Sequence, residues 1–408
     1  MLTTLFDSIV PFAGILVLLV VLHEIGHFVT AKLAGVEVLE FGIGYPPRLW
    51  GKKIGETEYT INALPLGGFV RMLGETDAEE VNTAEQGQRV GAMNTRASVR
   101  AGVDNPRTLA AKPPGIRIIV LFAGVFINAL LPVVFFSINY MVPQHISIEG
   151  AKIEHVSPNT PAERAGLQPG DIILSIDGRK VENIGDVSRL IQLNQGTTMD
   201  WQIRRSGQVM DVHPYARWSV PNEKDPDTGQ IVKQGPTGIK IGPVRSCQVF
   251  SPDGRRALCP DNLYTKVESY NPIAAIGYGL RDTYDTMVLV KNQVVSWFAS
   301  RSAPTVQGPV GIAQATGQIV KEAGWVSLLN LAALLSINLA IVNALPLPML
   351  DGGRVLFVVI ELLRRGKRIA PEKEALVHLV GFALLVTFVI AITFVDIMRI
   401  ANGDSVVK

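Results

Sequence analysis

The sequence predicts a polytopic α-helical membrane protein, with four transmembrane helices and one inserted α+β domain. Three observations carry that prediction. Of 408 residues, 48% are hydrophobic and 18% charged, against about 25% charged in an average soluble chain. The mean hydropathy is positive, at +0.27. The apolar residues also gather in four long runs, with a stretch of ordinary polar composition between the second and third. Charge excludes other classes: 38 Lys and Arg nearly balance 36 Asp and Glu, without the clustered basic excess of a nucleic-acid binder. Two cysteines are too few for a disulfide-built scaffold or a four-cysteine zinc module.

The first run, within residues 1–35, is charge-free over 8–22 and continues through His23-Glu24-Ile25-Gly26-His27 to Ala31. No Lys or Arg precedes Lys32, so the basic start of a cleaved signal peptide is missing. Residues 36–115 follow as a cytoplasmic, membrane-dipping β region and a loop. Residues 58–70 are rich in β-formers and include Gly67-Gly68, which predicts a membrane-associated hairpin; an ordinary cytoplasmic hairpin satisfies the same residues. Residues 76–108, rich in Glu, Asn, Thr, Arg and Gly, read as a mobile loop. Gly42-x-Gly44 is no phosphate loop, because Tyr45-Pro46-Pro47 stands where a helix should begin.

The second span occupies 116–144, and the inserted domain 145–245. Residues 246–322 contain a loop, an apolar stretch at 272–298 and Gly308-Pro309-Val310-Gly311-Ile312. Arg281, Asp282, Asp285 and Lys291 exclude a span over 272–298 and favour an amphipathic helix lying on the outer membrane face, with lipid as its partner. Cys247 and Cys259 either close a disulfide outside the cytoplasm or remain two free thiols. The third span covers 323–350, a basic loop 351–374, the fourth span 375–397 and a tail 398–408. About 20 apolar residues cross a hydrocarbon core of about 30 Å, so all four runs are long enough.

Orientation follows from the short loop after the third span, which carries Arg354, Arg364, Arg365, Lys367, Arg368 and Lys373. Basic short loops stay in the cytoplasm. Counting back puts 145–322 and both termini outside. The first and third spans then both end at the cytoplasmic side, which brings His23, His27 and Asp351 to one depth across more than 300 residues of chain.

Those residues have a chemistry. In His23-Glu24-Ile25-Gly26-His27, the histidines stand at i and i+4 on one helix face and can share a metal, while Glu24 can serve as general base to an activated water. Ionisable residues inside a span cost roughly 2.5–3.5 kcal/mol each, so three together call for a compensating role. Catalytic zinc takes three protein ligands and keeps a fourth position open. Asp351 is the candidate third ligand: Pro346 and Pro348 break the helix before it, and Gly352-Gly353 allow close approach.

HExxH in the first span with Asn343-Ala344-Leu345-Pro346-Leu347-Pro348-Met349-Leu350-Asp351-Gly352-Gly353 in a later one resembles the site-2 protease family of intramembrane zinc metalloproteases, most closely its bacterial regulator-of-sigma-E branch. Phe41-Gly42-Ile43-Gly44, residues 58–70, Ala123-Gly124-Val125-Phe126-Ile127-Asn128 and the 308–312 motif stand in the family's order, so the resemblance covers nearly the whole chain. One departure is Val125, where the family usually has Pro. The resemblance implies Zn2+ held by His23, His27 and Asp351, water activated by Glu24, and a location in the bacterial inner membrane. It also implies substrates with a single span, of the anti-sigma-factor type or remnant signal peptides. Asn343 and Asn128 are candidate donors to substrate backbone or oxyanion, interhelical bonding being the alternative; Gly67 and Gly68 are candidates for positioning an unwound substrate strand.

Residues 165–178, from Ala165 to Gly178, resemble the PDZ signature of bacterial proteases, and 237–242 the late strand of a permuted PDZ. This implies an extracytoplasmic PDZ domain that either binds peptide carboxyl termini or acts only as a filter against bulky ectodomains. Two other classes compete: a non-catalytic PDZ-bearing adaptor with structural zinc, and a transporter with an intramembrane His/Glu relay. An intact Glu24 argues against the first, and the absence of inverted repeats against the second.

Overall fold

The computed structural model describes residues 8–74, 105–219, 222–224, 231–244, 249–250, 256–257, 265–300 and 307–402. Cys247, Cys259 and most of the 76–108 loop lie outside the described residues. In chain order the elements are α1 (Val10–Leu33), β1 (Val38–Ile54), β2 (Thr57–Met72), α2 (Pro114–Met141), β3 (Gln144–Ser147), β4 (Ala151–Val156), α3 (Pro161–Arg164), β5 (Ile172–Ile176) and β6 (Arg179–Lys180). Then come α4 (Ile184–Leu193), β7 (Trp201–Arg205), β8 (Gln208–Val212), β9 (Asn222–Lys224), β10 (Ile231–Lys233), β11 (Ile239–Gly242), β12 (Val249–Phe250), β13 (Arg256–Ala257) and β14 (Thr265–Glu268). The last are α5 (Pro272–Ser300), α6 (Pro309–Ala323), a 3-10 turn, α7 (Leu328–Ala344), α8 (Asp351–Leu363) and α9 (Pro371–Ala401). The chain divides into two compact units, one of residues 1–139 with 306–408 and one of residues 140–305.

Among the described residues, four helices are long and apolar enough to span a bilayer, Val10–Leu33, Pro114–Met141, Trp325–Ala344 and Lys373–Ala401. Helix α9 exposes Leu379, Leu384, Phe388, Ile390 and Phe394, an apolar surface suited to lipid rather than water. Helix α1 ends in a Schellman turn: Gly35, at φ +67°, donates to Lys32 O while Val36 donates to Ala31 O. Helix α2 runs unbroken through Val125, so the missing proline costs no helical hydrogen bond there. Gly26 lets α1 and α2 approach closely, since a Cβ at that position would stand 2.8 Å from Ala123 O.

The third span differs from the sequence expectation. Its helix ends at Ala344 rather than at residue 350, because Leu345, preceding Pro346, takes an extended conformation with ψ 143°. Asp351 then opens a new helix, α8, inside what reads from sequence as a basic loop. Helix α8 is tied to α2 by Glu361, which accepts from Arg117 Nη1 at 2.6 Å and from Arg368 Nε at 3.2 Å.

Strands β1 and β2 pair antiparallel along 48–54 with 57–62, and again along 41–43 with 68–70; residues 40–43 also lie beside 58–61. Among the described residues, the outer side of 68–72 faces no other strand.

The second unit is built on a sheet ordered β11-β4-β5-β7-β8, with β6 paired to β5. Its core is Ile153, Ile173, Ile176, Met199, Trp201 and Ile203. Thr160 caps α3, and Asn183 with Asp186 forms a capping box on α4. Buried Asp171 accepts from Arg205 Nε and Nη2, each at 2.7 Å. Helix α5 covers 272–298, and two of the charges there have partners within the same unit. Asp285 receives Arg179 through two bonds of 2.6 and 3.0 Å, and Asp282 receives Arg189 at 2.7 Å. Asn292 donates to the terminal carbonyls of α4, Gln192 O and Leu193 O, at 2.8 and 2.9 Å. Ile273, Ile276, Leu280 and Tyr284 of the same helix are exposed. Replacing Asp285 by Ala removes two charge-assisted bonds and should free α5 from this seat at a cost of about 2 kcal/mol. Hydrogen exchange would then speed up roughly 30-fold over 272–300 and leave the sheet protected.

Candidate active site

Helix α1 buries His23 and His27 on one face, each 6% exposed, and the turn after α7 delivers Asp351 to them. The three donor atoms form a small triangle. Nε2 of His23 and Nε2 of His27 are 3.2 Å apart, and Asp351 Oδ2 lies 3.1 Å from the first and 3.4 Å from the second. Tetrahedral zinc with bonds of about 2.0–2.1 Å has ligand–ligand edges of roughly 3.3 Å, so the triangle has the size of one face of that tetrahedron.

The protonation pattern matches. His27 Nδ1 donates to Val120 O at 2.8 Å, which leaves the Nε2 lone pair facing the triangle. His23 Nδ1 meets the Asn128 side-chain amide at 3.1 Å. Asn128 Oδ1 is otherwise buried without a donor. Amide orientation is a matter of assignment, and turning this one satisfies Oδ1 with the His23 Nδ1 proton, freeing the second Nε2 lone pair. Asp351 Oδ2 likewise has no hydrogen-bond donor. Two imidazole lone pairs and a carboxylate facing one another inside a protein repel unless a cation sits among them, so the donor set suits a divalent metal.

Glu24, on the neighbouring face of α1, is half-buried. Strand β2 passes directly over it: a Cβ at Gly68 would lie 3.4 Å from Glu24 Cγ, and one at Gly67, where φ is +144°, would lie 3.3 Å from Val20. Tyr45 stacks on Phe69 with ring centroids 6.1 Å apart. Burial, and after it the Glu24 carboxylate, push the Tyr45 hydroxyl above its ordinary pKa.

The two candidate asparagines divide. Asn128 is 1% exposed, its side chain meeting His23 Nδ1 and its backbone carbonyl accepting from Ser336 Oγ at 2.8 Å, so the side chain is turned to His23 and away from solvent. Asn343, one residue before the end of α7, is half-buried and makes no side-chain hydrogen bond among the described residues. The sequence reading missed Gly124. A Cβ there would stand 2.4 Å from His27 Nε2 and 2.6 Å from His23 Nε2. Only its place in the 123–128 motif hinted at a role, and nothing in that motif named the imidazoles it faces.

Three relatives align end to end with this chain. The zinc metalloprotease RasP of Oceanobacillus iheyensis is 31% identical, over 96% of this chain and 99% of its own length. The putative zinc metalloprotease R01501 of Rhizobium meliloti is 30% identical, over 96% of both. The regulator of sigma-W protease RasP of Bacillus subtilis is 29% identical, over 97% of this chain and 99% of its own. The profile of Peptidase family M50 matches residues 11–388. With its HExxH pair, its Asp351 turn and that match in one chain, the protein belongs to peptidase family M50, the site-2 protease family.

Proposed function

We propose that this chain is an intramembrane zinc endopeptidase that hydrolyses single-span membrane proteins within or beside their transmembrane helix. The triangle of two imidazole lone pairs and a carboxylate, with Glu24 beside it, carries the reading. His23, His27 and Asp351 would hold Zn2+, which supplies Lewis acidity, polarising the scissile carbonyl and lowering the pKa of water to about 7. Glu24 removes a proton from the attacking water as the oxygen–carbon bond forms. It returns that proton to the amine nitrogen as the carbon–nitrogen bond breaks. Asn128 and the Val120 carbonyl orient the two imidazoles, the kind of outer support that metal-binding histidines require.

A substrate helix must unwind before its amides can be cut, since they are bonded internally. The outer edge of 68–72 offers backbone partners to the unwound segment, and Gly67 and Gly68 let it lie against Glu24. Asn343 is available to bond its backbone. The basic residues from Arg354 to Lys373 support a cytoplasmic site, with the termini and residues 145–245 on the other side of a bacterial inner membrane. In the 140–305 unit, β11 is an edge strand preceded by Gly238 at φ +85°, which supports a permuted PDZ domain that takes peptide termini. The exposed apolar side of α5 suits a lipid surface. The Bacillus subtilis relative's name, regulator of sigma-W protease, supports a membrane-bound anti-sigma factor as the substrate class.

The test is metal removal. The purified full chain stripped with a chelator should stop cutting a single-span reporter and regain activity on stoichiometric Zn2+. Full activity of the metal-free chain would overturn the proposal.

A further inference from the structure

Asp351 hangs from a turn with an unusual backbone. Residues 345–350 carry two prolines, and Met349 sits at φ +73°, a left-handed conformation that an L residue adopts at a cost of about 1–2 kcal/mol. Glycine would adopt it freely. The turn therefore needs something outside itself to hold it. The turn's own bonds, Leu347 N to Leu345 O at 2.7 Å and Leu350 N to Leu347 O at 3.2 Å, leave the Met349 amide unused.

That amide donates to His378 Nδ1 of α9 at 2.8 Å. The bond settles the tautomer: Nδ1 accepts, so Nε2 carries the proton and faces Glu374 Oε1 at 3.9 Å. The ring also packs against Phe357 of α8, with centroids 5.4 Å apart. One turn further along α9, Gly381 admits Pro348; a Cβ there would stand 2.3 Å from Pro348 Cβ. His378 and Gly381 thus form a seat on the fourth span for the turn that presents Asp351.

We infer that His378 is a positioning residue of the metal site: its neutral Nδ1 latches the left-handed Met349 turn and so sets Asp351 at coordinating distance from His23 and His27. The inference rests on Asp351 being the third ligand. It makes the fourth span, which contributes no ligand, a determinant of metal affinity. The latch acts one residue removed from the ligand's neighbour Leu350, and outer contacts of this kind change metal affinity about 10–100-fold.

The test measures Zn2+ affinity of the full-length chain by competition with a chromophoric chelator, with kcat and KM on a single-span reporter alongside. His378→Leu should bind zinc about tenfold more weakly, and lower kcat with KM unchanged. His378→Asn places its Oδ1 where Nδ1 stood and should stay within about threefold of the parent chain, whereas His378→Gln places its oxygen at the Nε2 position and should behave like Leu. Met349→Gly removes the strain that the latch opposes, so Met349→Gly/His378→Leu should recover most of the loss. Parent-like zinc affinity in His378→Leu, or equal losses in Asn and Gln, would overturn the inference; the Asn and Gln pair decides it even where Leu does not fold. Asp351→Asn separates the two levels. Zinc retained by that variant overturns the ligand assignment beneath the latch, while zinc lost there and kept in His378→Leu overturns the latch alone.

Discussion

Replacing Glu24 by Gln should abolish peptide-bond cleavage while zinc stays bound. The substitution keeps the size and one hydrogen-bonding oxygen of the side chain, and removes only its capacity to accept and return a proton. General-base catalysis by a placed carboxylate is worth roughly 10²–10⁴-fold in rate, so turnover should fall by at least that much. Metal content should not change, because the three donors that face one another belong to His23, His27 and Asp351 and not to Glu24. Cleavage of a single-span reporter gives the rate, and metal analysis of the same preparation gives the zinc. Undiminished cleavage would remove Glu24 from the mechanism. Loss of zinc would make it a ligand. The setting favours the first role: the carboxylate lies under Gly68, at the place where a strand paired to 68–72 would cross α1.

How much of this was legible beforehand depends on where each constraint resides. The four apolar helices follow from local apolar runs and the HExxH pair from its spacing; charge bias predicts one depth for His23, His27 and Asp351, and the structure has these three residues in one cluster. The break in the third span was half visible. Pro346 and Pro348 announce an interruption, but the basic residues from Arg354 to Lys373 mark 351–374 as a cytoplasmic loop and say nothing of the helix that Asp351–Leu363 forms within it. For Asn128 the interhelical alternative is legible in the sequence, but its partner is not. An asparagine in a span reads equally as substrate donor or helix–helix bond, and its actual neighbour, His23, is 105 residues away. Likewise the positive φ at Met349 has no signature in its residue type, since methionine rarely adopts it without support from elsewhere.

Gly124→Ala should damage the metal site directly, because the added methyl would fall on both imidazoles at once. The added carbon would stand 2.4 Å from His27 Nε2, 2.6 Å from His23 Nε2 and 2.6 Å from His23 Cε1. Neither ring can yield cheaply, because His27 Nδ1 is bonded to Val120 O, on α2 itself, and His23 Nδ1 meets Asn128, also on α2. Moving α2 outward instead would open the contact at Gly26, where the helices already touch through Ala123 O. Overpacking a rigid site costs up to about 3 kcal/mol, which taken wholly from metal binding weakens zinc roughly a hundredfold. Gly115→Ala on the same helix is the control: nothing lies within 4 Å of its Cβ, so it should gain about 0.5–1 kcal/mol of helix propensity and bind zinc normally. Thermal unfolding and chelator competition on the two variants read both effects. Parent-like zinc affinity in Gly124→Ala would mean that α2 does not set the geometry of the two imidazoles. The expected contrast means that two histidines one helical turn apart are not yet a metal site. A second helix must bring its backbone to their edges, and only a glycine leaves the space for it.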